Sequence, residues 1–293
     1  MKKIVVASVL AAGCLFGDTV TTVVPYIASV SYDNDSAKSA KDDSRMYGMH
    51  ASVGNLDYLF ELDYAKFTTN YKNSAIEDLD QDDIFVAYSK YYKNWMFKVG
   101  DHYVSTNDPL LNNGNVVMAS IGGYTFDGAD KYSYGIEGYY SRYSDGQDEN
   151  NVRKSISIIQ FTPYVSFFHK FSDTVKNTLV VKFNHQSASD YVKDSYTSFE
   201  ISDTIYYKDV FTTLKYYDGK MRTGVKDGGT TVINTLDLMQ DGFDIKLGYY
   251  ISVNAVLSVS YGQNNFQEFD VVTGTLLPSG KNSVAVAAFS YSF

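Results

Sequence analysis

From Thr19 onward the chain keeps one rhythm: segments of about ten residues alternating apolar and polar, separated by polar punctuation. Residues 242–251 show it cleanly. Phe243, Ile245, Leu247, Tyr249 and Ile251 share one face, and Asp244, Lys246, Gly248 and Tyr250 share the other. In 177–187, Leu179, Val181 and Phe183 oppose Lys182, Asn184 and Gln186. In 56–67, Phe60, Leu62 and Tyr64 oppose Asp57, Glu61 and Asp63. A period of two is that of a β-strand, whose successive side chains point to opposite faces.

The punctuation alternates as well. Long acidic and polar connections run over 33–44, 71–82, 105–114, 144–153, 188–195, 221–241 and 267–281. Tight turns fall between them at Gly54-Asn55, Lys93-Asn94, 127–131, 169–173, Lys208-Asp209 and 252–254. Seven long loops and six short turns predict fourteen strands, with both chain ends on the short-turn side. The expected strands are 19–32, 45–53, 56–69, 83–92, 95–105, 115–126, 132–143, 154–168, 174–187, 196–207, 210–220, 242–251, 255–266 and 282–293. Within 221–241, residues 230–238 either extend strands or form a plug, which leaves counts of twelve or sixteen open.

The pattern implies an all-β fold, a single antiparallel transmembrane barrel with short periplasmic turns and longer external loops. Charges on the face opposite the apolar one fit a wet lumen, whereas a charge facing lipid near the midplane costs about 2–4 kcal/mol. Asp101 and Asp203 fall on the outward face and are expected near the rim. A soluble all-β protein also alternates, with one face buried and one solvated. The N-terminus, the long-short alternation of the connections and the C-terminus all weigh against it.

Composition agrees with the pattern. Tyr 27, Phe 18 and Trp 1 give 16% aromatic residues, while Pro is only 4, a balance suited to pleated, hydrogen-bonded strands. A mean hydropathy of -0.22 argues against a helical membrane protein, and so does the lack of a long apolar run beyond the N-terminus. The net charge of -9 argues against a nucleic-acid partner, which is bound through clustered Lys and Arg. A single Cys allows no internal disulfide and no thiolate metal cluster.

The N-terminus reads as a signal peptide over 1–17, with cleavage between 13 and 18 and the barrel over 18–293. Lys2 and Lys3 form its charged region, and an apolar stretch runs from Ile4 to Ala12. Ala11-Ala12-Gly13-Cys14 resembles the lipobox of bacterial lipoproteins, which implies an acylated Cys14. The alternative is a Cys that leaves with the peptide, cut near Gly17. Either route carries the mature chain beyond the inner membrane.

The chain ends Val284-Ala285-Val286-Ala287-Ala288-Phe289-Ser290-Tyr291-Ser292-Phe293. This resembles the closing strand of Gram-negative outer-membrane barrels, with a terminal Phe and aromatics at alternate positions. The resemblance implies recognition by the barrel-assembly machinery, with Phe289, Tyr291 and Phe293 facing outward toward outer-membrane lipid at the periplasmic interface. Tyr91, Tyr92, Tyr139, Tyr140, Tyr216 and Tyr217 are candidates for aromatic girdles, with some filling the lumen instead.

Length and strand count resemble those of monomeric porins of about fourteen strands, and this implies passive passage of small hydrophilic solutes or ions. No cofactor is expected. The candidate pore-lining residues are Glu61, Asp63, Lys98, Glu137, Lys182, Glu200, Lys215, Asp244 and Lys246, each alternatively a paired wall residue. Their mixed signs, with acidic loops outside, point to a weak cation preference at most.

A second class is enzymatic. His185-Gln186-Ser187 resembles the lipid-facing His-x-Ser pair of outer-membrane phospholipase A, where His activates a Ser nucleophile. That family continues with Asn-Gly; here Ala188-Ser189-Asp190 follows, and only Asp190 or Asp194 is at hand to orient the ring. A third reading is a non-conducting structural or adhesive barrel. Weaker still, Asp78, Asp80 and Asp82 alternate in an acidic run that could hold calcium, although repelling surface carboxylates are the plainer reading. His50, His102 and His169 show no metal-ligand spacing; His102 is expected in the lumen and His169 beside a turn. Gly122-Gly123 and Gly228-Gly229 read as strand relief or loop flexibility.

Overall fold

The computed structural model describes residues 19–108, 111–147, 153–189, 195–233, 237–270 and 275–293. The signal-peptide region, Cys14, Asp190 and Asp194 lie outside the described residues. Fourteen long strands follow one another: β1 (Val20–Tyr32), β2 (Lys41–Gly54), β3 (Tyr58–Tyr71), β4 (Leu79–Tyr92), β5 (Trp95–Thr106), β6 (Gly114–Asp127) and β7 (Asp130–Gln147). They continue as β8 (Arg153–Lys170), β9 (Val175–Ala188), β10 (Ser195–Tyr207), β11 (Val210–Gly219), β12 (Leu238–Ser252), β13 (Ala255–Gln267) and β14 (Gly280–Ser292).

Each strand pairs antiparallel with its neighbour in sequence, and β14 returns to β1. At that seam Thr21 N donates to Phe293 O at 3.0 Å and Phe293 N to Thr21 O at 2.9 Å. Closure leaves no unpaired edge, which a bilayer would penalise by several kcal/mol per bare backbone group. Between β11 and β12 the barrel wall closes directly, Val210 opposite Tyr249 through Tyr217 opposite Gly242. Met221 and Arg222 still pair with Met239 and Leu238, and beyond them the chain leaves the wall, which settles the count at fourteen long strands.

Strand ends differ from the sequence expectation mainly on the outer side. β2 begins at Lys41, β4 at Leu79 and β12 at Leu238, and β7 runs to Gln147. Beyond the lipid the outward face no longer needs to be apolar, so alternation fades while the backbone ladder continues. Asp80 and Asp82 thus stand on a strand and not in a loop.

Outside, the barrel is apolar all round. Ile27, Val117, Phe161, Val165, Leu214 and Val259 are each exposed, as are Phe289, Tyr291 and Phe293. A continuous apolar belt of this extent has one suitable solvent, lipid. The chain is a multi-pass transmembrane β-barrel. At the opposite end of two hairpins, Lys93 and Lys208 take positive φ in the tight turns, and each ammonium lies over the adjacent tyrosine, Tyr92 or Tyr207.

The pleat divides the three tyrosine doublets 91–92, 139–140 and 216–217. Tyr92, Tyr140 and Tyr216 are exposed on the outer face, whereas Tyr139 and Tyr217 are buried inside and Tyr91 shares their inward parity. Of each doublet, therefore, only one ring is available to a girdle.

Candidate functional site

Strand parity turns Glu61, Asp63, Lys98, Glu137, Lys182, Glu200, Lys215, Asp244 and Lys246 to the inner face. Most are paired with side chains one or two strands away. Lys98 Nζ lies 2.8 Å from Glu61 Oε2, Lys182 Nζ 4.0 Å from Glu137 Oε1, and Lys215 Nζ 3.8 Å from Glu200 Oε1. Asp63 receives the Tyr26 hydroxyl at 2.8 Å and faces His50 Nδ1 at 3.4 Å. Asp244 sits opposite Lys215 in register. The result is a belt of alternating sign, in which removing one partner would leave a charge uncompensated.

The segment between β11 and β12 folds into this lumen as a small hairpin. Val225 pairs with Val232 and Lys226 with Thr231, around a tip at Asp227–Gly229. Asp227, Gly228 and Gly229 all take positive φ, and Gly229 at +98° holds a conformation that side chains rarely adopt. A Cβ on Gly229 would also meet Met118 Sδ at 2.4 Å. The glycine pair that read as loop flexibility is the tip of an inward plug.

Anchors for the hairpin come from strands distant in sequence. Gln160 on β8 accepts from Val225 N at 2.9 Å and donates to Val225 O at 2.7 Å, treating it as a strand neighbour. Gln186 on β9 accepts from Arg222 N at 3.1 Å and donates to Gln160 Oε1 at 3.0 Å. His102 on β5 donates from Nδ1 to Gly229 O at 2.9 Å, and Lys215 on β11 holds Asp227 at 3.1 Å. The Val225 side chain packs with Phe85, Ala87, Val116, Met118 and Tyr139 in a buried cluster inside the barrel. At the far end of the segment Asp237 pairs with Lys41 of β2.

The plug is one-sided. Inward residues of β4 to β9, among them Phe85, His102, Met118, Tyr139, Gln160 and Gln186, are buried. Across the lumen, Thr22 and Val24 of β1, Ser258 and Ser260 of β13, and Val286, Ala288 and Ser290 of β14 remain partly exposed. These are small side chains on an inner face over which, among the described residues, the hairpin does not pack.

The other sequence candidates are not drawn into a site. His185 and Ser187 share the exposed outer face of β9, and no hydrogen bond joins them among the described residues. Asp78 Oδ1 takes the Tyr71 amide, Asp80 the Thr68 hydroxyl and Asp82 the Tyr64 hydroxyl, so the three carboxylates are engaged separately. Among the described residues no group of three His, Cys, Asp or Glu is placed to hold a metal ion. Asp101 and Asp203 do lie outward; Asn115 and Asn177, respectively, donate to them. His169 stands beside its turn, 2.6 Å from Asp130. In the first external loop the Asp35 amide holds the Asp33 carboxyl below the usual carboxylate range.

No protein-family model matches the chain, and no curated protein matches it significantly. Among solved structures it is similar to the toluene transporter TbuX of Ralstonia pickettii, with a TM-score of 0.53 and 10% identity over 98% of this chain and 93% of that one. The FadL homologue of Pseudomonas aeruginosa gives a TM-score of 0.51 and 10% identity over 97% and 92%. The toluene transporter TodX of Pseudomonas putida gives 0.51 and 8% over 98% and 93%. Likeness at these identities establishes the fold, that of Gram-negative outer-membrane barrels.

Proposed function

We propose that the protein is a non-enzymatic outer-membrane channel, passing small solutes and ions by passive diffusion along the β12–β14 and β1 side of the lumen. One observation carries this reading: the hairpin buries the inner face of β4 to β9 and leaves small, partly exposed residues on the opposite wall. A lumen that was only a packed core would bury both sides, as in the smallest barrels. The paired charges of the belt then serve as a mixed-sign constriction around the hairpin tip. Insertion would depend on the outward Phe289, Tyr291 and Phe293 meeting the barrel-assembly machinery.

Transporters of toluene share the fold, which by itself assigns no substrate. A swelling assay tests the proposal: vesicles carrying the folded barrel should swell in an isosmotic pentose solution. Vesicles that hold folded barrel and neither swell nor conduct would overturn it.

A further inference from the structure

Beside the hairpin, toward the external loops, lies a cavity of about 660 Å³. Its walls come from β1 to β4 and β12 to β14, and its floor is the returning arm of the hairpin, Thr231 to Ile233. The lining is aromatic and aliphatic, with Phe67, Tyr71, Val232, Met239 and Phe266. The size and apolar character are those of a small-molecule site.

Its charges are lopsided. Asp83, Asp108, Asp237 and Glu268 line it together with a single base, Lys41. Lys41 is already committed: it pairs with Asp237, and its side chain is only 11% exposed. Glu268 is fixed beside it by the Ser39 hydroxyl at 2.7 Å and the Ala40 amide at 3.2 Å. Among the described residues that line the cavity, an incoming anion therefore meets no uncommitted cation. Asp83 differs from Asp237. Its oxygens receive the Gln81 amide at 3.0 Å, and among the described residues no lysine or arginine pairs with it. The closest base is His102, with Nε2 3.7 Å away. The other ring nitrogen, Nδ1, is engaged by Gly229 O at 2.9 Å, so the ring is held by the hairpin tip.

We propose that this cavity binds small organic cations, specifically a primary ammonium on an apolar or aromatic body. The ammonium would pair with Asp83, and the body would lie against Phe67 and Phe266. Carboxylate attraction and aromatic faces act together on such a ligand, as in other sites for alkylated ammonium groups. The inference rests on the channel reading only in placing the cavity beside the passage; binding itself requires no conduction.

Titration calorimetry of the full-length refolded barrel with three probes of one shape, phenethylammonium, 2-phenylethanol and phenylacetate, tests it. Phenethylammonium should bind about tenfold or more tightly than the alcohol, the scale of one solvent-shielded ion pair, with phenylacetate weakest. Asp83→Asn should abolish the advantage of the ammonium over the alcohol, and Phe67→Ala should weaken both. Equal affinities, tighter phenylacetate, or no binding of the ammonium to wild-type barrel would overturn the site. So would an unchanged preference in Asp83→Asn that migrates as folded protein on a heat-modifiability gel. A barrel that binds phenethylammonium but never conducts would retain the site and refute the passage.

Discussion

Gln160 and Val225 are 65 residues apart, yet the Gln160 side chain completes both backbone hydrogen bonds of Val225, accepting at 2.9 Å and donating at 2.7 Å. A wall residue thereby stands in for a strand and holds a hairpin inside the barrel. Gln160→Leu would strip both bonds from buried groups at a cost of about 1–3 kcal/mol each. A docked–undocked equilibrium shifts roughly tenfold per 1.4 kcal/mol. The expected outcome is a higher and noisier single-channel conductance from a barrel that remains folded by gel migration.

The tip offers a steric route to the same end. Gly229→Val adds a Cβ that would lie 2.4 Å from Met118 Sδ, at a φ of +98°. Strain at such a position is on the order of 1–3 kcal/mol before the clash is counted. The hairpin should leave its seat while the wall hydrogen bonds persist. Conductance should rise with little change in the temperature at which the gel shift is lost.

Charge at the constriction is also testable. Lys215 lies 3.1 Å from Asp227 and 3.8 Å from Glu200. Lys215→Met leaves both carboxylates without that partner, so the reversal potential in a salt gradient should move toward cation selectivity. A shift toward anions would contradict the assignment of Lys215 to the conducting perimeter.

His185 and Ser187 supply a control on chemistry. Both face outward on β9, with no hydrogen bond between them among the described residues. Purified barrel should leave phospholipid intact in the presence of calcium, and Ser187→Ala should change nothing. Hydrolysis that disappears in Ser187→Ala would establish the enzyme reading in place of a purely passive channel.

The strands were legible because their period is enforced twice, by lipid outside and water inside. Phe243 through Ile251 could not be shifted by one residue without placing Asp244 and Lys246 in lipid. The short turns and the terminal aromatics were legible for similar local reasons. For the hairpin, a plug was legible only as one of two alternatives for 230–238, and its form and anchors were not. Its two strands are two residues each, and its anchors Gln160, Gln186 and His102 read locally as ordinary inward polar positions. Only the three-dimensional register shows that they converge on one segment. The Asp227-Gly228-Gly229 tip was the available signal, a turn chemistry inside a stretch otherwise lacking alternation. The outer cavity was equally hidden, since Lys41, Asp83 and Asp237 meet from separate parts of the chain.

The central claim is that solute passes along the small-residue wall opposite the hairpin. Val286 lies on that wall, inward and partly exposed, between Ala28 and Ser260 in register. Planar-bilayer conductance of wild type and Val286→Trp, each first shown to be folded, tests it most directly. Discrete steps in wild type that shrink sharply in Val286→Trp are the predicted result. Silence from the folded wild-type barrel, or steps indifferent to the tryptophan, would contradict the account.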